Sequence, residues 1–145
     1  MPHTPAATAA APAWDETDEA FLAALAEGTV PDGAFHHRDH VRLAWLRIRA
    51  LGLEPGMARI REDIRAFAAR KGLATLYHET LTTFWARAVA SALAGDPGTA
   101  GFAGFVARHP ELLDKDLPRR HYRPESLTGE TARREWVAPD VRPLP

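Results

Sequence analysis

Apolar residues recur at helical intervals through the first two thirds of the chain, and glycines punctuate the runs. Phe21, Leu22 and Leu25 form one stripe, which predicts a first helix from Asp15 to Glu27, with Asp15 and Thr17 as candidate caps and Gly28 as its stop. After the turn "TVPDGAF", a second helix is expected from His36 to Leu51, ended by Gly52. The third opens at "EPG", where Pro55 suits a first helical turn, and carries Met57, Ile60, Ile64 and Phe67 in strict helical spacing up to Gly72. A fourth runs from Leu76 to Ala94 and stops at "GDPG", and a shorter fifth holds Phe102, Phe105 and Val106 before Pro110.

The last third is irregular. One short helix is expected from Gly129 to Val137, with Thr128 as its cap, and the ending "APDVRPLP" is too rich in proline for a helix and should lie extended over the bundle. No segment alternates convincingly at period two. The expected fold class is therefore all-α: a single-domain antiparallel helix bundle of four to five main helices with an irregular C-terminal wrap. Residues 15–145 form that domain, and residues 1–14 read as a disordered Ala/Pro tail.

Connections of two to five residues between the second, third and fourth helices make consecutive helices antiparallel neighbours. The second and fourth then run parallel, with their N-termini at one end of the bundle. On a wheel at about 100° per residue, Arg38, Arg42 and Arg49 mark the solvent side of the second helix, and Ala44, Ile48 and Leu51 mark the core side. His37 and His40 continue the core side into the first turn, and His36 falls on the flank. His78, on the edge of the apolar face of the fourth helix, should reach the same end of the core.

These positions give the histidines their interest. His37 and His40 are three apart on one face and can share a partner. With His78 they would make three inward imidazoles at one level, which is what a mononuclear three-histidine site requires. The alternative is a buried polar network in which each ring satisfies a carbonyl or carboxylate. Glu79 and Tyr77 are the acid/base candidates beside His78. Asp39 reads as a cap or an arginine partner, His109 as a helix-end residue bonding carbonyls, and His121 as part of a solvated loop with Arg119, Arg120 and Arg123. His3 falls in the tail.

Composition narrows the chemistry. The chain has 145 residues, no cysteine and a net charge of −1. Thiolate ligands, disulfides and a cysteine nucleophile are excluded, and charge gives no case for nucleic acid or an anionic membrane. No apolar run approaches the roughly 18 residues of a membrane span. The N-terminus lacks a signal-peptide pattern, so a cytoplasmic location is expected. "HHRDH" lacks the glutamate of a zincin helix, and there is no phosphate-binding glycine loop and no G-x-S-x-G elbow.

The stretches "FHHRDHVRLAW" and "YHETLTTFW", with the ending "ARREWVAPDVRPLP", resemble a family of small, largely uncharacterised bacterial all-helical proteins. Its pattern looks like F-x-H-x-x-H-[LV]-x-x-A-W, then Y-H-x-T-x-T, then P-D-x-x-P-L-P. Phe35, His37, His40, Trp45, Tyr77, His78, Thr80 and Thr82 match it, and His36 does not belong to it. The resemblance implies that these residues form the site and attaches no reaction to it.

Two functions are then expected from different classes. The first is a small metal-dependent enzyme with a small-molecule substrate. His37, His40 and His78 would hold one divalent transition metal, with hydrolytic or isomerase chemistry for zinc and oxygen-dependent chemistry for iron or copper. The second is a non-enzymatic helical ligand-binding or protein-interaction module with structural histidines. Oligomeric state is left open by the sequence.

Overall fold

A computed structural model describes residues 12–96 and 101–145, which form an all-α domain with no strand among the described residues. The main helices are α1 (Asp18–Glu27), α2 (His37–Leu51), α3 (Leu53–Arg70), α4 (Glu79–Gly95) and α5 (Gly101–Arg108). Two five-residue helices follow, α6 (Pro124–Thr128) and α7 (Glu130–Arg134), with 3-10 turns at Ala13–Asp15, Ala74–Leu76, Pro110–Leu113 and Leu117–Arg120. Residues 1–11 of the expected tail, including His3, lie outside the described residues. The expected tail included Trp14, whose ring in fact lies 6.2 Å from that of Phe21.

The local signals work as their chemistry requires. Thr17 accepts the Ala20 N–H at 3.0 Å and caps α1, and Gly28, at φ 75°, ends it in the left-handed conformation that glycine adopts without strain. Asp39 accepts the His36 N–H at 2.9 Å and closes the start of α2. Gly56 permits the tight crossing of α3 on α2: a Cβ there would lie 3.0 Å from the Ile48 Cα.

Helices α2, α3 and α4 pack on one another around Val41, Leu43, Trp45, Ile60 and Val89, with Phe21 of α1 and Phe105 of α5 closing the core. A second cluster of Phe84, Leu117 and Tyr122 lies on the outer side of α4, covered by Trp136, Val137 and Leu144 of the C-terminal wrap. Helix α4 is thus buried on two faces. The wrap is fastened by hydrogen bonds. Thr80 Oγ1 donates to Glu135 O at 2.9 Å and accepts from Val137 N at 3.1 Å, and the Tyr122 hydroxyl donates to Val137 O at 2.6 Å.

Four expectations are corrected here. Arg42 does not face solvent: it is buried over the Phe21 ring at 4.4 Å and pairs with Asp18 at 2.8 Å and with Asp15. Helix α4 starts at Glu79, not Leu76, because Ala74–Leu76 forms its own turn and His78 takes the capping position. The last short helix ends at Arg134, because Val137 is drawn out to Thr80 and Tyr122. Its start is Glu130, with Gly129, not Thr128, in the capping position.

Candidate functional site

A cavity of about 320 Å³ lies where α2, α3 and α4 meet. Helix α2 contributes His37, His40 and Ala44, and α3 contributes Ile60, Ile64, Phe67 and Ala68. Helix α4 adds Leu81, Thr82, Trp85 and Ala86, and the segment before it adds Leu73, Leu76, Tyr77 and His78. Leu73 and Leu76, 46% and 60% exposed, stand at the mouth, whereas Ala44, Ile60 and Ala86 form the closed wall. Among the described residues, no Asp, Glu, Lys or Arg lines the cavity.

All three histidines named from the sequence line this one cavity, as do Tyr77 and Thr82. Their ring nitrogens, however, are committed very differently. His78 Nδ1 accepts the Leu81 N–H at 3.1 Å, capping α4. Nε2 must then carry the proton, and it donates to the Leu127 carbonyl at 2.8 Å. His37 Nε2 donates to the Leu112 carbonyl at 2.9 Å while its ring lies 4.3 Å from Trp85, and burial holds His37 below its ordinary pKa.

His40 is different. Its ring packs edge-on against Phe35 at 4.6 Å, and no hydrogen bond reaches either nitrogen among the described residues. Protein packs closely around the ring, yet the residue keeps an exposed share of its surface, and it lines the cavity. Burial, reinforced by the neighbouring His37, pushes its pKa down to about 4, so the ring is neutral at physiological pH.

The two acid/base candidates are tied to each other. The Tyr77 hydroxyl donates to Glu79 Oε1 at 2.6 Å, and burial with this bond raises the Tyr77 pKa to about 12. The Glu79 carboxyl is pushed up by burial, but hydrogen bonds from Tyr77, Arg61 and Thr83 outweigh this and hold it below its ordinary value. Arg61 Nε lies 2.7 Å from Glu79 Oε2, so Glu79 anchors the start of α4 to α3 from outside the cavity lining. Its charge also sits in the first turn of α4, where the helix dipole favours it.

No family model, curated protein or solved structure matches the chain.

Among the described residues, no group of three His, Asp or Glu side chains is arranged to hold a metal ion. At the named trio, His78 has both nitrogens in hydrogen bonds and His37 keeps Nδ1 open. Two further histidines also form specific partnerships. His109 Nε2 donates to the Asp96 carboxylate at 2.9 Å, not to helix-end carbonyls. His121 is buried against Phe84 and donates from Nδ1 to Arg142 O at 2.8 Å, so it is no part of a solvated loop. Arg119, Arg120 and Arg123 are exposed and pair with nearby aspartates.

The sequence reading overlooked the lip. Leu73 and Leu76 stand in a loop bounded by Gly72, where two leucines have no helical stripe to join. That mismatch was the available signal.

Proposed function

We propose that the chain binds a small, largely apolar organic molecule in the cavity between α2, α3 and α4, with His40 as its polar recognition point. The observation that carries this reading is the uncommitted His40 ring in a pre-formed, mostly apolar cavity. Binding sites of this kind combine hydrophobic walls with very few placed polar groups, and roughly 300–1,000 Å³ is their usual size range. The module reading is thereby preferred to the enzyme reading, because the nearest carboxylate is locked in an ion pair and the nearest hydroxyl donates to it.

The metal-dependent enzyme remains the competing proposal, supported by the meeting of His37, His40 and His78 on one cavity. It requires His78 to release Leu127 or its helix cap before it could ligate zinc, iron or copper. Protein purified without a metal-charged column separates the two readings. A thermal shift with para-cymene and a metal content below about 0.1 per chain are expected, since a ligand bound only by the folded state raises Tm. Stoichiometric zinc, iron or copper, lost in His78→Ala, would establish the competing reading in its place.

A further inference from the structure

Building on the proposed small-molecule site, we infer that its ligand is an uncharged molecule with one hydroxyl group on an apolar body, such as a phenol or alicyclic alcohol, bound with that hydroxyl on the His40 ring.

Three observations lead there. Among the described residues, the one polar side chain of the cavity lining with no hydrogen-bond partner is the His40 imidazole, which keeps exposed surface. A neutral imidazole offers one acceptor nitrogen and one N–H, which a single hydroxyl can meet as donor or acceptor. The other polar groups on the lining are largely engaged: His78 through both nitrogens, His37 through Nε2 to Leu112 with Nδ1 left open, the Tyr77 hydroxyl through Glu79, and Thr82 through Tyr77. A ligand with several polar groups would leave most of them unpaired, at a cost that disfavours binding.

Charge is excluded by what surrounds the cavity. No cation lines it, and the neutral His40 ring cannot neutralise a carboxylate. The full charges behind the lining are already paired: Glu79, which accepts from Tyr77, with Arg61 and Arg65, and Lys71, over the Phe67 ring, with Asp32. A bound ammonium would meet aromatic faces, but its carboxylate neighbour is already paired with Arg61. The body of the ligand would lie against Phe67, Ile64, Ala68 and Trp85, and enter between Leu73 and Leu76. The cavity volume admits one or two rings.

The test uses the full chain at neutral pH and three matched probes: thymol, para-cymene, which is the same skeleton without the hydroxyl, and para-isopropylbenzoate, which carries a carboxylate. Tryptophan fluorescence, with Trp85 on the cavity lining, and calorimetry read the affinities. Thymol should bind about tenfold or more tightly than para-cymene, the ordinary worth of one buried hydrogen bond, and the carboxylate should bind weakest. In His40→Phe the thymol advantage should collapse while para-cymene still binds. Imidazole nitrogen NMR on the unmodified protein supplies the same answer without relying on the variant: only the His40 nitrogens should shift when thymol replaces para-cymene. Equal binding of thymol and para-cymene, tightest binding by the carboxylate, or an unshifted His40 would each overturn the hydroxyl assignment while leaving the apolar site standing. Failure of all three probes to bind the folded protein would overturn the site itself.

Discussion

His78 and Leu127, forty-nine positions apart, are joined ring to backbone: Nε2 of the histidine donates to the leucine carbonyl at 2.8 Å. The same ring caps α4 through Nδ1, so one side chain both starts a core helix and holds the C-terminal wrap against it. His78→Ala should lose a cap, about 1 kcal/mol, and leave a part-buried carbonyl short of its donor, for a total of about 2 kcal/mol in chemical denaturation. His78→Asn should recover about 1 kcal/mol of this, because asparagine caps well but is too short to reach Leu127. Equal losses in the two variants would show that the ring nitrogens are not divided between these two jobs.

Thr80 performs a related task with no ring. It is fully buried, and its hydroxyl both donates to Glu135 O and accepts from Val137 N. Thr80→Val keeps the shape and removes both bonds, leaving two backbone groups unsatisfied at a cost of about 2 kcal/mol, whereas Thr80→Ser should cost less than about 1 kcal/mol. Hydrogen exchange should localise the damage to residues 135–145. Uniform loss of protection across α2 and α3 would instead mean that the wrap is integral to the bundle core.

Glu79 was singled out from its position after His78, and its surroundings give it a structural task. Glu79→Gln removes the charge that pairs with Arg61 and accepts from Tyr77, so stability should fall by about 1–3 kcal/mol, less than for a fully buried pair because the Arg61 side chain is 30% exposed. Affinity for an apolar probe should change less than about twofold, because Glu79 does not line the cavity. A large loss of affinity at unchanged stability would return Glu79 to the site.

How far the sequence discloses this protein can be judged from single residues. The stripe of Met57, Ile60, Ile64 and Phe67 specifies α3 because helix periodicity is a local property, and the glycines ending α1 and α2 are equally local. Short connections are enough to bring His37, His40 and His78 to one cavity. What each ring does there was not legible. The partners of His37 and His78 are carbonyls of Leu112 and Leu127, in a segment without periodicity whose position depends on tertiary packing. Carbonyls also carry no sequence signature. Arg42 was misread for a similar reason: the wheel shows a direction, but not that Asp15, Asp18 and Phe21 would come to cover it. The burial of α4 on both faces follows equally from the wrap, which brings Tyr122 and Leu117 onto Phe84.

Acid should weaken the fold through the same histidine that faces the cavity. Between the ordinary value of 6.5 and about 4, the unfolded chain takes up a proton at His40 that the folded chain refuses. The unfolded state then binds more protons, so stability falls as pH falls through this window. His37, also held below its ordinary value, adds in the same direction. Urea midpoints should drop from about pH 7 to about pH 5, and His40→Phe should flatten part of that slope. An unchanged slope in the variant would place the sensitivity elsewhere.

Ala86, 1% exposed and on the cavity wall, tests whether the space is real and used. In a close-packed core, Ala86→Leu would force side chains off their rotamers and cost typically about 1–3 kcal/mol. Beside an apolar cavity the added methyl groups have room, and the burial they gain offsets the strain, so stability should stay within about 1 kcal/mol or rise. Binding of para-cymene should meanwhile fall at least tenfold, because the leucine occupies the volume the ligand needs. Loss of stability with binding retained would mean that the alanine faces packed protein and that the ligand lies nearer the Leu73–Leu76 lip. Loss of binding without loss of stability would locate the ligand between α2, α3 and α4, beside His40.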